Sequence, residues 1–474
     1  MNHLLKKVYK VSNKNQNTPR ISLEHFICES VGLEVGEHLY VTIEKDKIII
    51  QNQPTKQIDH EISVSYRTHR STGIKRPLID SCGMRYQSII SVKQKIEVNV
   101  YRENNLKRIV ITPLKYNLHE EVSTHCSKDE RNRLISLCAG SGIATAALVD
   151  TGYFTPVMEI EMEDDSSEVL KRNFPNSLLF TGDLRDVHEV KESDVLFASL
   201  PCNNFSTLGN LQEGTFMNLV IAASKVIRSS NARVIFMENV PGFYNSEAFW
   251  ELKELLNDKY PYWSTKTIES YEFGSISTRK RTYAVAFQCV EDYQSFTFPI
   301  PPKCVKRFKL KRYLDNDKVL HKWHSISDWL DRYHKKSSKI ADKNIDKTFV
   351  SEEATQIRCI VKKYANHSIT NSYVVNKENS KWRLLSIDEI RRILAVPDWF
   401  EFGSFISKTR KYELLGQSVD CNIIRAIGNK IASVLMKAKR KVKNTIYDFK
   451  KSFKLELTIP IEENENTGQL SIIF

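Results

Sequence analysis

Leu134-Ile135-Ser136-Leu137-Cys138-Ala139-Gly140-Ser141-Gly142 reads as an apolar strand running into a glycine turn, with a helix predicted over Ile143–Val149. Glycine at such a turn lets the backbone approach a ligand closely, and the helix start offers free N–H groups to an anion. Two glycines between a strand and a helix occur in many unrelated α/β proteins, so the stretch takes its weight from its surroundings. Working outward, apolar strands are predicted at Leu134–Leu137, Val157–Ile160, Leu178–Phe180, Val195–Leu200, Val234–Met237 and Tyr283–Phe287, with helical stretches between them. That rhythm predicts βα units around a mostly parallel sheet.

In an open α/β sheet, ligands sit at the carboxyl ends of the strands. Glu161 follows the second strand, about twenty residues past the glycine turn, a spacing that suits the hydroxyls of a ribose. The third strand ends in Gly182-Asp183, a carboxylate able to accept from an adenine amino group. The fourth leads into Leu200-Pro201-Cys202-Asn203-Asn204-Phe205-Ser206. A thiol on a Pro-bounded loop is a candidate nucleophile, although a lone cysteine is more often a small buried apolar residue. Glu238 ends the apolar run Phe236-Met237, where an acid is costly unless paired or functional. Thr278-Arg279-Lys280-Arg281 puts two arginines on one face of the next strand.

At 474 residues the chain has room for two to four domains. A hydrophobic content of 41% beside 27% charged residues fits a globular class, and no apolar run reaches the ~18–20 residues of a membrane span. The first residues lack an apolar stretch with a small-residue cleavage site, so no secretion signal is expected. Nine cysteines without a CxxC or Cys/His cluster argue against a disulfide framework and a zinc site, and no metal is expected. A reducing cytoplasm is the expected location. The formal charge of +13 points to a polyanionic partner.

Residues 1–115 read as all-β with a diverged internal repeat. Arg20–Leu23, Leu39–Ile43 and Lys47–Ile50 recur as Arg76–Ile79, Ile96–Val100 and Arg108–Ile111, each copy ending in a hairpin signal. The pattern resembles the AbrB/SpoVT/MazE-type swapped-hairpin domain, which implies a possible homodimer and DNA contacts; an unrelated β extension is the alternative. Residues 54–75 read as its internal linker and 116–131 as the linker to a catalytic domain at 132–290. Within 303–347 there are 14 Lys+Arg against 6 Asp+Glu, interleaved with Phe308, Tyr313, Trp323, Trp329 and Tyr333. A solvated basic face competes there with a nucleic-acid groove. Residues 291–380 are taken as a separate region, 381–440 as a return to the α/β domain, with helices at Ile387–Leu394 and Val419–Lys437, and 441–474 as a tail.

In order and spacing, the pieces from about 133 to 437 resemble the DNA (cytosine-5) methyltransferase family. Leu137–Gly142 is similar to its cofactor turn, Glu161 through Asn173-Phe174 to its ribose segment, and Gly182-Asp183-Leu184 to its adenine contact. Pro201-Cys202 resembles its nucleophile loop, Glu238-Asn239-Val240 its Glu-Asn-Val motif, and Arg279-x-Arg281 its arginine motif. Arg383 through Pro397-Asp398 resembles the segment after the target-recognition region, and Leu415-Gly416-Gln417-Ser418-Val419 the last motif. Ile143, Asn203, Asn204, Ser277 and Gln417 depart from the usual residues without removing a catalytic group.

The resemblance implies an α/β, S-adenosylmethionine-dependent (Rossmann-like) fold with a smaller target-recognition domain, here joined to an N-terminal all-β module. It implies S-adenosylmethionine bound by Cys138, Ala139, Gly140, Ser141, Gly142, Glu161, Asp183, Leu184, Pro201, Gln417, Ser418 and Val419. Cys202, Glu238, Arg279 and Arg281 take the catalytic roles, and Asn203–Asn218 is the lid. The substrate is a cytosine flipped out of double-stranded DNA, as in restriction-modification, with Ser206, Lys306, Arg307, Lys311 and Arg312 as nucleic-acid contacts. An RNA (tRNA) cytosine-5 methyltransferase shares these motifs and remains a rival, as does a DNA-binding regulator on an inactive methyltransferase fold. A bacterial or phage origin is implied. Gln469–Phe474, after a polar stretch, is either a final docked strand or a peptide similar to bacterial sliding-clamp ligands.

Overall fold

The computed structural model describes residues 2–14, 18–68, 73–114, 123–125, 131–201, 213–303, 305–316, 321–336, 347–437, 461–463 and 470–472. Cys202, Ser206, Gln469, Ile473 and Phe474 lie outside the described residues. Among those described, one sheet joins thirteen strands. The half that falls in the expected catalytic domain runs Tyr262–Glu269, Lys280–Phe287, Val234–Asn239, Val195–Ala198, Asn132–Leu137, Phe154–Glu161, Leu178–Thr181. The last five of these pair in parallel, and the first two are antiparallel additions at one edge. Val195–Ala198 and Leu178–Thr181 are buried at every position, as strands covered on both faces must be. Tyr262–Glu269 is not predicted by the sequence; it is an edge strand with mostly half-exposed side chains and carries no continuous apolar run. Helix Glu213–Ser229 begins inside the stretch expected to be a lid, which corrects the end of that loop from 218 to before 213.

The N-terminal half continues the same sheet. Leu5, Lys6 and Lys7 pair in parallel with Leu179, Phe180 and Thr181, and beyond them follow Lys95–Glu103, Leu106–Pro113, Ile48–Gln51, His38–Ile43 and His60–Ser63. The all-β expectation is corrected by helix His25–Val31, which ends at Gly32 in the left-handed region (φ +81). The internal linker expected at 54–75 instead contains strands His60–Ser63 and Ser65–Thr68, and the linker expected at 116–131 contains Ser123–His125, parallel to Glu189–Lys191.

The two repeats pair with each other. Ile49 lies opposite Val110, its own counterpart in the other repeat, with Ile48↔Ile111 and Ile50↔Ile109 on either side. Leu23 lies opposite Ile79, again its counterpart. This is the register of a two-fold axis inside one chain, the arrangement an isologous dimer makes between two. The strands that a swapped-hairpin homodimer would pair between copies already pair within the molecule.

Residues 324–383 form a small four-stranded sheet: His324–Ser325, Lys381–Arg383, Tyr373–Val375 and Phe349–Val350. Trp382, Tyr373, Phe349 and Trp329 fill its core, with Tyr373 and Trp382 ring centroids 4.7 Å apart. Trp329, in the stretch where a solvated basic face competed with a nucleic-acid groove, is buried at 4% exposure and belongs to the core. Helix Ile387–Ile393, opened by a Ser386/Glu389 capping box, and the helix at 421–437 return to the catalytic half. A Cβ on Gly428 would stand 2.6 Å from Leu148, so the last helix packs hard on Ile143–Val149. No helix among the described residues is long and apolar enough to cross a membrane.

Candidate active site

The carboxyl ends of the parallel strands enclose a cavity of about 400 Å³. Eleven of the twelve residues read as cofactor-binding line it: Cys138 to Ser141, Glu161, Asp183, Leu184, Pro201 and Gln417 to Val419. Gly142 does not. A Cβ there would lie 2.6 Å from Leu170 and 2.8 Å from Phe174, so this glycine serves the packing of helix Asp164–Asn173 against the turn. Cys138 and Gly140 have φ of +53 and +56, a conformation that turns the backbone sharply beside the cavity.

Glu161 closes that turn. Its Oε2 accepts from Gly140 N at 2.7 Å and its Oε1 from Met162 N and Glu163 N at 2.8 and 2.9 Å. Burial raises its carboxyl above the usual range and the three donors oppose that shift. Asp183 accepts from Arg185 N at 2.9 Å and Nε at 2.8 Å, and this pairing holds its carboxyl below the usual range. The Cys138 thiol is pushed far upward, by burial first and then by Glu161 and Asp183, so it stays protonated.

At the end of Val195–Ala198 the chain passes Ser199, Leu200 and Pro201 toward Cys202. Asn239 Nδ2 donates to Leu200 O at 3.0 Å, and Asn239 Oδ1 accepts from Val240 N at 2.8 Å, which pins the chain two residues before the thiol. Glu238, its side chain 7% exposed, accepts from Ser199 Oγ at 2.9 Å and lies 3.0 Å from Arg281 Nε. The register explains the pairing: Glu238 stands opposite Tyr283, one side-chain period from Arg281.

Arg279, expected beside Arg281, is corrected by its surroundings. It is 3% exposed, and its guanidinium donates to Ile360 O at 3.0 Å, to Gly416 O at 3.2 Å and to Ser418 O. It ties the last motif to the strand, and its guanidinium is taken up by those carbonyls while Glu238 pairs with Arg281. A Cβ on Gly416 would overlap the Val361 carbonyl at 2.2 Å, so glycine is required where these segments meet. Sequence reasoning missed Ser199, which only the pairing of two strands brings to Glu238, and Arg185 and Lys362, which line the cavity without any local motif.

The basic residues expected on nucleic acid are exposed. Arg307 lies 3.6 Å from the Tyr271 ring centroid, Arg312 and Lys306 lie over Phe308 at 3.7 and 5.2 Å, and Lys311 pairs with Glu353 at 3.1 Å. Asp315, His321 and Glu389 could share a cation. Arg383 already holds Glu389 at 2.7 and 2.8 Å and Arg392 holds Asp315 at 2.5 Å, so the cluster reads as an ion-pair network.

The family model for C-5 cytosine-specific DNA methylases matches residues 132–433. The chain belongs to that family. The chain is 30% identical to Type II methyltransferase M.Bsp6I of Bacillus sp. (strain RFL6) over 36% of its own length and 56% of that protein. It is 27% identical to M.MspI of Moraxella sp over 54% and 60%, and 26% identical to M.HhaI of Haemophilus parahaemolyticus over 64% and 95%. It thus spans a little over half the length of the first two. Among solved structures, the Entamoeba histolytica methyltransferase EhMeth superposes with a TM-score of 0.52 at 17% identity, covering 65% of this chain and 99% of that one. Dnmt2 of S. pombe gives 0.50 at 18%, over 65% and 99%. Both likenesses are of fold. Residues 1–131 of the chain lie outside the matched range.

Proposed function

We propose that this chain transfers a methyl group from S-adenosylmethionine to carbon 5 of a cytosine flipped out of double-stranded DNA, as the Type II methyltransferase of a restriction-modification pair. The observation that carries the reading is the meeting of Glu238 and Arg281 with Ser199, which itself lines a cavity shared with the cofactor-turn, ribose, adenine and last-motif residues. The cavity fits the cofactor by its chemistry. Glu161 offers a carboxylate to ribose hydroxyls, Asp183 an acceptor to an adenine amino group, and the left-handed turn at Cys138 and Gly140 leaves room for a ligand against the backbone.

Carbon 5 of cytosine is a poor nucleophile, so the ring has to be activated. The thiolate of Cys202 adds to carbon 6 while Glu238 hydrogen-bonds or protonates ring nitrogen 3, converting the ring to an enamine. When bound, S-adenosylmethionine supplies the electrophilic methyl that carbon 5 takes up. Loss of the carbon-5 proton and of the thiolate then restores the aromatic ring. Arg281 holds the Glu238 carboxyl in place and favours anions near it. Asn239 fixes the entry of the nucleophile loop. Residues 291–380 choose the sequence through Lys306, Arg307, Lys311 and Arg312, and the flipped base costs a few kcal/mol of unstacking. Tritiated methyl transfer to duplex DNA and to tRNA, followed by bisulfite sequencing of the DNA, tests the reading. Label in tRNA alone would replace it by the RNA-modifying alternative.

Two finer readings accompany it. The enzyme works in the bacterial or phage-infected cytoplasm. Its tail, Gln469–Phe474, docks on a sliding clamp, which would raise its concentration behind a replication fork. Leu470–Ile472 pairs with Ile461–Glu463, so docking requires the peptide to leave that hairpin. A pull-down comparing the whole chain with one ending at Gly468 decides between clamp and hairpin.

A further inference from the structure

The N-terminal half, outside the matched family range, backs the two turns that form one side of the cavity. Its first strand pairs with Leu178–Thr181, the strand that delivers Gly182, Asp183 and Leu184 to the cavity wall. A Cβ on Gly182 would lie 3.5 Å from Val8 Cβ, so that strand also lies directly behind the turn. Just beyond, Asp186 has a side chain only 5% exposed, and Lys95 Nζ donates to both of its oxygens at 2.8 and 3.1 Å. On the ribose side, Lys7 Nζ donates at 2.6 Å to Asp164 Oδ1, three residues after Glu161. Arg76 reaches Glu168 at 2.8 Å on the same helix. In all three pairs the cation belongs to the N-terminal half and the carboxylate to the catalytic half.

We propose that residues 1–113 are a positioning element of the cofactor pocket, with Lys95 and Lys7 holding the Asp183 and Glu161 turns from behind. The proposal rests on the reading of that cavity as the cofactor site. A buried carboxylate deprived of its ammonium partner is strongly disfavoured. Asp186, its side chain 5% exposed, gains water most fully when the turn Leu184–Asp186 shifts outward. That turn is hydrogen-bonded to Asp183 through Asp186 N and Asp183 O at 2.9 Å, so Asp183 and Leu184 move with it. Lys7 holds a half-exposed aspartate and is the weaker tie.

The test uses the full chain and S-adenosylhomocysteine as the probe in calorimetry, with steady-state methylation beside it. Lys95→Met should raise the dissociation constant and the cofactor KM about tenfold, the value of one good hydrogen bond. The DNA KM and kcat at saturating cofactor should hold, and Lys95→Arg should restore binding. Lys7→Met, expected to fold normally, should raise KM about two- to threefold on the same physical ground. Asp183→Ala separates the two claims. If it leaves the dissociation constant unchanged, the cavity is not the cofactor site. If it weakens binding while Lys95→Met and Lys7→Met do not, the positioning role is overturned. A Lys95→Met protein that loses kcat, DNA affinity and melting temperature together would show a merely structural pair and overturn it equally.

Discussion

Glu238→Gln isolates the chemistry assigned to the carboxyl from its structural surroundings. The side chain is held at both oxygens, by Ser199 Oγ at 2.9 Å and by Arg281 Nε at 3.0 Å. Glutamine has the same volume. Its carbonyl can face Arg281 and its amide can donate to Ser199, whose hydroxyl rotates to accept. The geometry therefore survives, and what is lost is the proton and the charge. Arg281, its side chain 19% exposed, is left facing a neutral carbonyl, so stability should fall by up to about 3 kcal/mol, which thermal melts read separately from the rate. A positioned acid contributes about 10²–10⁴ in rate, equivalent to roughly 3–5 kcal/mol in the barrier. Single-turnover methyl transfer with tritiated cofactor and duplex DNA measures that loss, and calorimetry with S-adenosylhomocysteine should show unchanged cofactor affinity. A rate within about threefold of the parent, too small for a lost proton donor, would refute the assignment. So would a fall in rate matched by an equal fall in cofactor affinity, which would make Glu238 a wall of the cofactor cavity instead.

Three further outcomes follow from the surroundings of individual residues. Cys138→Ser should leave turnover within about threefold in the same assay, because a thiol held protonated by burial is a wall and not a nucleophile. Asp420, 2% exposed beside Arg279 and Tyr283, has a carboxyl pushed up to about 6 from 3.8. The folded state therefore holds its proton more tightly than the unfolded chain, and stability falls as pH rises through 3.8 to 6 and is level above. Asp420→Asn should accordingly gain on the parent by up to about 3 kcal/mol between pH 4 and pH 7, read by thermal melts at each pH. An equal offset at both pH values would contradict that shift. Neutralising Lys306, Arg307, Lys311 and Arg312 together should flatten the log–log salt slope of DNA binding by about 3, at roughly 0.9 per phosphate contact, with Lys311 contributing least because Glu353 already pairs it. An unchanged slope would move the DNA path elsewhere.

The catalytic half was legible because its signals are local. Apolar runs ending in Gly140, Glu161, Gly182-Asp183 and Glu238 carry strand and site in the same few residues; the cavity gathers the first three where the sheet's carboxyl edge must lie, and Glu238 joins through Ser199. The N-terminal repeat was legible as a repeat, yet its pairing was not. Nothing in Lys47–Ile50 or Arg108–Ile111 states whether the partner is another chain or the other half of the same one. That depends on whether residues 54–75 let the halves meet, and strands inside that stretch do so. The junction of the two halves was hidden for a similar reason. Lys6 and Lys7 look like solvent-facing positions of an edge strand, and only the parallel pairing with Leu179–Thr181 buries them beside acids more than 150 residues away. Arg279 and Arg281 share a strand face, so spacing could not separate them. The crossing of Gly416 and Ser418 beneath Arg279 is what gives the two arginines different work.

The central claim is a covalent bond between Cys202 and carbon 6 of the target cytosine. Duplex DNA carrying 5-fluorocytosine tests it most directly, since fluorine cannot leave carbon 5 as the proton does and the thioether therefore persists. With S-adenosylmethionine present, the account predicts a denaturation-stable protein–DNA adduct whose peptide map places the link on Cys202, and none with Cys202→Ser. An adduct on another cysteine, or near-normal methylation of unmodified DNA by Cys202→Ser, would contradict it.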